Sequence, residues 1–143
     1  MEFREAKFED RDFILNANRE INVLSGIKDS TFENRIDDDL FKNKICKSII
    51  AEIDGSIVGL LLYSYVYWAN CGKGIYLSQA YVKKEYRGQG IYRQMLKELE
   101  TKEFECNFIT DLVGTDNTVM QATLKKMNFE SSDLITYYRM INK

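Results

Sequence analysis

The chain has 143 residues, 45% apolar and 29% charged, with net charge −2 and an isoelectric point near 5.3. That is ordinary for a globular protein with room for a real core, so residues 1–143 are expected to form a single domain. The charge balance disfavours nucleic acid, whose phosphates call for a basic excess, and leans toward a cationic small partner.

Histidine is absent, which removes Ser–His and Cys–His catalysis and most zinc sites. Cys46, Cys71 and Cys106 are scattered and form no Cys-x-x-Cys pair. They read as reduced structural thiols of a cytoplasmic protein, with no metal. No apolar run reaches the roughly 18 residues of a membrane helix, and Met1–Phe8 does not resemble a targeting segment. No membrane association is expected.

Glu2–Ala6 reads as a short first strand. Asp10 can cap a helix whose apolar face is Phe13, Ile14, Ala17, Ile21 and Leu24, ended by Ser25-Gly26. Thr31 and Asn34 introduce a second, more polar helix carrying Phe32, Ile36, Leu40 and Phe41. Asp37-Asp38-Asp39 lies within it, either as a solvated helix face or as the cation-attracting rim of an acceptor site.

Lys47–Ile53 and Ile57–Trp68 are strands, and Asp54-Gly55 between them is a type I′ hairpin signal. The second strand is apolar or aromatic on both faces, as a central strand covered on both sides would be. Tyr63, Tyr65, Tyr67 and Trp68 line an acceptor pocket by cation–π chemistry on one reading, and pack a core or a dimer surface on the other. Ile75–Val82 is a third strand. Gly90–Glu103 is a helix with Ile91, Met95, Leu96 and Leu99 inward. Cys106–Val113 is a strand, Asp116-Asn117 caps a helix through Met127, and Leu134–Ile141 is a last strand.

Between the third strand and its helix lies Arg87-Gly88-Gln89-Gly90-Ile91-Tyr92. A strand, a glycine loop and a helix start gather free backbone N–H groups at the positive end of a helix dipole. That is a cradle for a phosphate or pyrophosphate. It is not a P-loop, because no Gly-Lys-Ser/Thr follows. It is not the dinucleotide fingerprint, because Arg93 stands where the third glycine would be.

The loop resembles the Gln/Arg-x-x-Gly-x-Gly/Ala segment of the GNAT N-acetyltransferase superfamily, with Arg87 first, Gly90 fourth and Tyr92 where the family prefers Gly or Ala. The order of elements resembles the GNAT layout over essentially the whole chain. The long strand, glycine turn and following strand look most like the diamine or polyamine acetyltransferase branch. The resemblance implies an α/β (mixed α+β) GNAT fold: a twisted mixed sheet of about six to seven strands with helices on both faces. It implies acetyl-CoA as co-substrate, a small-molecule primary amine as acceptor attacked directly, and a possible homodimer. A protein amine as acceptor, or a catalytically impaired acyl-CoA-binding module, are the rival functions.

By that resemblance, Ala80, Tyr81 and Val82 pair with the pantetheine arm in a wedge between the third and fourth of the long strands. The Val82 N–H polarises the thioester oxygen. Arg87, Gly88, Gln89, Gly90, Ile91 and Tyr92 hold the pyrophosphate, unless the Arg87 guanidinium simply lies on the surface. Asn117 contacts the pantetheine or only caps its helix. Seven residues later, many relatives carry a tyrosine that protonates the leaving thiolate; here it is Leu124. Ser78 stands where polyamine-type enzymes carry an acid, and can order a water. Asp111, in place of an apolar residue, is the other candidate base, with a salt bridge or plain exposure as its structural alternatives.

Overall fold

The computed structural model describes residues 1–27, 31–139 and 141. They form two compact units, Met1–Leu112 and Val113–Lys143. The first is built on a sheet of five strands in the order β1-β2-β3-β4-β5, namely Glu2–Arg4, Lys47–Ile53, Ser56–Trp68, Gly72–Val82 and Ile109–Asp111. The first four pair antiparallel and the last pair is parallel, so the sheet is mixed.

Local chemistry explains most boundaries. Asp54 (φ 50°) and Gly55 (φ 75°) make the expected tight β2–β3 turn. β4 starts three residues before Ile75, because the ladder continues down to the Trp68↔Gly72 pair. At the other end, Leu62 faces Gln79 while Tyr63 faces Leu77, so Ser78 is an extra residue in β4. Such a bulge bends its strand and increases its twist. β4 and β5 pair only from Ile75↔Ile109 to Leu77↔Asp111, stopping where the bulge begins. The expected strand Cys106–Val113 shrinks to Ile109–Asp111: past Asp111 the bulge ends the ladder, and before Ile109 the contact with β4 is reduced to Asn107 N–H on Lys73 O at 2.8 Å and Ile75 N–H on Phe108 O at 2.9 Å. Among the described residues, β4 from Gln79 to Val82 is paired with β3 alone.

Helix α1 (Arg11–Leu24) and the short α2 (Phe32–Ile36) cover one face. Ile14, Leu15 and Ala17 of α1, Ile36 and the following Leu40 bury against Ile50, Leu60 and Leu62. Leu24, assigned to the apolar face, is exposed. After Ile36 the chain widens into a π-helical turn, Asp37–Lys42, closed by Asn43 N–H donating to Asp38 O at 2.7 Å. Helix α3 (Ile91–Lys102) covers the opposite face through Ile91, Met95, Leu96 and Leu99. It approaches β3 at Gly59, where a Cβ would lie 3.0 Å from Met95 Cε and Sδ. Absence of a side chain at Gly59 thus lets α3 lie close on the sheet, beside the Gly59↔Val82 pair.

In the second unit, Asn117 caps α4 (Thr118–Lys126) by accepting from Met120 N–H at 3.1 Å. Leu124 is buried there. The last strand expected over Leu134–Ile141 does not form: residues 131–139 have no regular secondary structure, and Met140 lies outside the described residues. Leu134, Ile135, Tyr137 and Tyr138 are all exposed. An apolar stretch becomes a strand only where another strand supplies its ladder. The sheet accordingly has five strands among the described residues rather than six or seven.

Candidate functional site

Two αL glycines shape the loop: Gly88 and Gly90 both have φ 77°, and nothing lies within 4 Å of where a Cβ would stand on either. The first helical bond of α3 is Gln94 N–H to Gly90 O at 3.1 Å. The amides of Ile91, Tyr92 and Arg93 therefore have no acceptor within the helix. Open space above glycine and free donors at a helix start are the features that could hold an anion.

The loop joins the unpaired edge of β4. Lys83 N–H donates to Val58 O at 2.9 Å, so strand alternation turns the N–H and C=O of Val82 to the opposite edge. There the Val82 carbonyl accepts from Arg87 Nε at 2.8 Å. Arg87 is thus engaged rather than loose on the surface. Its Nη2 also bonds Glu20 Oε1 at 2.8 Å, and Glu20 Oε2 accepts from the Tyr81 hydroxyl at 2.7 Å. These bonds hold the Glu20 carboxyl below its usual range, that from Tyr81 first. Burial and the same contact push the Tyr81 phenol up to about 12. Glu20 was not legible in the sequence: it is a half-buried acid of α1, and only packing brings it to Tyr81 and Arg87. Gln89 turns its amide back to Glu85 O at 3.2 Å.

Tyr92 does not obstruct the loop. Its ring packs inward, and its hydroxyl is buried without a hydrogen-bond partner. Burial, and then the charge of Asp111, push its phenol well above the ordinary range.

At the other end of the open β4 edge is a cavity of about 450 Å³, lined by Phe32, Ile36 and Leu40 from the α2 region, Leu62 of β3, and Ser78 and Gln79 of β4. Asn18, Thr31, Arg35, Asp39 and Cys46 complete its polar lining. The Ser78 hydroxyl donates to Leu62 O at 3.1 Å. Burial, and then the charge of Asp39, push the Cys46 thiol up to about 11, so it is a poor nucleophile. Of the acidic run, Asp37 bonds Arg11 and Asp38 pairs with Lys42, while only Asp39 reaches the cavity.

Asp111 is elsewhere. It pairs with Leu77, which pairs with Tyr63, and these share the α3 face, whereas the cavity opens beside Leu62 on the α1–α2 face. Burial pushes its carboxyl up to about 6, opposed by the Leu112 amide. A carboxyl that binds its proton more tightly when folded favours the fold most below about pH 4, and this advantage is lost as pH rises through 6. Asp111→Asn should therefore stabilise the protein at pH 8 by on the order of 1–2 kcal/mol, discounted for partial solvent screening. The gain should vanish at pH 4. Equal melting shifts at both pH values would show that the carboxyl is not strained by burial.

None of the four aromatic candidates lines the cavity. Tyr63 and Tyr65 donate to Glu103 at 2.7 and 2.6 Å, Lys47 and Lys73 lie over the Tyr65 ring, and Trp68 stacks on Phe108 at 4.3 Å. Tyr67 is exposed. Only Tyr63 is buried; Tyr65 and Trp68 are exposed too, and all four lie away from the cavity. Among the described residues no group of three or more His, Cys, Asp or Glu side chains is placed to hold a metal, and no helix is long and apolar enough to cross a membrane.

The pattern of the GNAT acetyltransferase family matches residues 13–129, across both units. The chain belongs to the GNAT acetyltransferase family. It is 36% identical over 107 residues to a thialysine N-epsilon-acetyltransferase of Sus scrofa, covering 67% of this chain and 63% of that protein. It spans less than two thirds of the length of the curated relatives it matches. The fold is that of a possible acetyltransferase from Clostridium difficile 630, at TM-score 0.84 and 21% identity over 99% of this chain and 98% of the other. It is also that of an acetyltransferase from Clostridium acetobutylicum crystallised with acetyl-CoA, at TM-score 0.77 and 19% identity over 96% and 95% of the two chains. In this GNAT chain the loop amides and the open β4 edge fit acetyl-CoA as co-substrate.

Proposed function

We propose that this GNAT protein transfers the acetyl group of acetyl-CoA to a primary amine of a small molecule by direct attack. One observation carries the reading. The unpaired edge of β4 runs from the cavity, at Ser78 and Gln79, to the anion loop that follows Val82. Roughly 13 Å of strand separates Ser78 from Val82 at the usual rise per residue. A thioester laid along this edge would have its pyrophosphate on the amides of Gly88–Tyr92 and its acetyl group near the cavity.

Ala80 to Val82 would bind the pantetheine as an added strand. The Val82 N–H, roughly 13 Å of strand from Ser78, would pair with the pantetheine arm and not with a thioester oxygen at the cavity. The neutral amine forms the C–N bond, the C–S bond breaks, the electron pair leaves on sulfur, and the amine proton passes to water. Ser78 retains acceptor lone pairs that can order that water. The thiol resembles a cysteine of pKa near 8.5, so its thiolate can leave without the phenol that Leu124 lacks. Asp111 lies across the sheet from the cavity and is assigned no proton from the acceptor. Asn117 is assigned its capping role. The roof of Phe32, Ile36 and Leu40 favours a small acceptor over a protein chain, which would need an open groove. The relative acting on thialysine, a small amine, supports the same class.

The test is acetyl-CoA binding by calorimetry, followed by thiol release with amino acids, diamines, aminoglycosides and lysine peptides. Amine-dependent thiol release is expected with small acceptors. Tight binding without turnover on any amine would favour a binding module, and no binding would remove the reading altogether.

A further inference from the structure

Among the described residues, two buried side-chain atoms have no hydrogen-bond partner: Gln79 Nε2 and the Tyr92 hydroxyl. A buried donor left unpaired costs stability, so native proteins satisfy nearly all of them, and an exception calls for a reason. The position of Gln79 supplies one. It pairs with Leu62 across the sheet, which turns its side chain to the α1–α2 face, and it lines the cavity beside Ser78. That is the end of the open β4 edge where the acetyl group of a bound thioester would lie. Asn18, Asp39 and Ser78 line the same cavity, yet none accepts from Nε2, and the Ser78 hydroxyl donates to Leu62 O instead.

We propose that the Gln79 side-chain amide is the oxyanion donor of this site, and so a catalytic residue. The assignment rests on the acetyl-transfer reading. Nε2 donates and cannot accept. The attacking amine must keep its lone pair free for carbon, and the thioester sulfur is a weak acceptor. The carbonyl oxygen is therefore the partner left for this donor at the reacting centre. The last side-chain torsion of glutamine is soft and roughly two-fold, so Nε2 turns to a bound acyl group at little cost. As the amine lone pair forms the C–N bond, the carbonyl π pair moves onto oxygen. The bond from Nε2–H strengthens as that charge grows. The pair then returns to restore the carbonyl while the C–S bond breaks and sulfur leaves with its electrons. The unpaired donor of the unliganded protein is thus a stability cost kept for the transition state.

Gln79→Met removes the donor and keeps the length of the side chain, and Gln79→Glu puts an acceptor in its place. Both should lower kcat by about a hundredfold or more, with the KM for acetyl-CoA within about threefold of wild type. Infrared difference spectroscopy with carbonyl-labelled acetyl-CoA reads the contact without turnover. The carbonyl band should lie below its free-solution frequency in wild type and return toward it in Gln79→Met. The Tm of unliganded Gln79→Met should equal or exceed that of wild type, the reverse of what a structural amide gives. The same kcat and the same band in wild type and Gln79→Met would overturn the proposal and leave the oxygen to a backbone amide of β4. A kcat loss that comes with a lowered Tm and an unshifted band would make Gln79 structural and overturn it equally. Calorimetry on the same samples separates the two readings. If wild type binds no acetyl-CoA, the acetyl-transfer reading falls and takes this one with it. If it binds acetyl-CoA and the Gln79 variants match it in band and rate, this inference falls alone.

Discussion

Gly90→Glu should weaken acetyl-CoA binding by at least a hundredfold, about 3 kcal/mol, while leaving the fold intact. Gly90 precedes the first turn of α3 with φ 77°, and its Cβ position is open. The new Cβ therefore meets no atom of the protein. What it brings is a negative charge at the place where free amides and the helix dipole favour an anion. The backbone conformation itself costs any non-glycine residue about 1–2 kcal/mol. Gly90→Ala isolates that cost, and should bind acetyl-CoA within about tenfold of wild type. Calorimetry on the two variants checks the charge argument, with circular dichroism as the control for folding. If Gly90→Glu binds as tightly as Gly90→Ala, the pyrophosphate is not on this loop.

The largest effect on stability is expected at Arg4. Its guanidinium grips Asp10 in a two-pronged pair, Nη1 to Oδ2 at 2.6 Å and Nη2 to Oδ1 at 3.0 Å. It also holds Glu52 Oε1 through Nε at 3.0 Å and Nη2 at 2.6 Å. Asp10 is buried, with one further bond from Lys7 N–H at 2.7 Å. Arg4 therefore ties β1 to β2 and to the start of α1, the helix that carries Asn18 and Glu20 to the site. Arg4→Ala strands a buried carboxylate, and should cost about 3 kcal/mol at pH 7, or roughly 10 °C in Tm. The bond from Arg4, opposed by burial, holds the Asp10 carboxyl below the ordinary carboxylate range. Its stabilisation is present above about pH 4 and lost as pH falls through the lowered pKa. The gap between wild type and Arg4→Ala should accordingly shrink as pH falls from 7 to 3. A gap that stays constant with pH would mean that lost packing, and not the charge pair, accounts for the change.

Local patterns made much of this protein legible. Apolar runs marked β2 and β3, and Asp54-Gly55 marked the turn between them, because positive φ at two successive positions calls for those residues. The loop Arg87–Tyr92 was readable for a related reason: an anion cradle depends on backbone amides, and glycines at 88 and 90 expose them. The misreadings have a common cause. Leu134–Ile141 carries the composition of a strand, but a strand is completed by a neighbour that a local pattern cannot name. β5 came out short because a single bulge at Ser78 ends its ladder with β4.

The sequence by itself determined the family, the order of most elements and the place of the glycine loop, since these rest on residues close together along the chain. The tertiary structure decided what faces what. It carried Asp111 to the α3 face and kept it and the aromatic run of β3 away from the cavity. It joined Glu20 to Tyr81 and Arg87 across more than sixty residues of chain. It also chose Asp39 alone from three successive aspartates, because its two neighbours have cations in reach and it has the cavity. Charge along a sequence is only a count; burial and the distance to the nearest opposite charge give it a role.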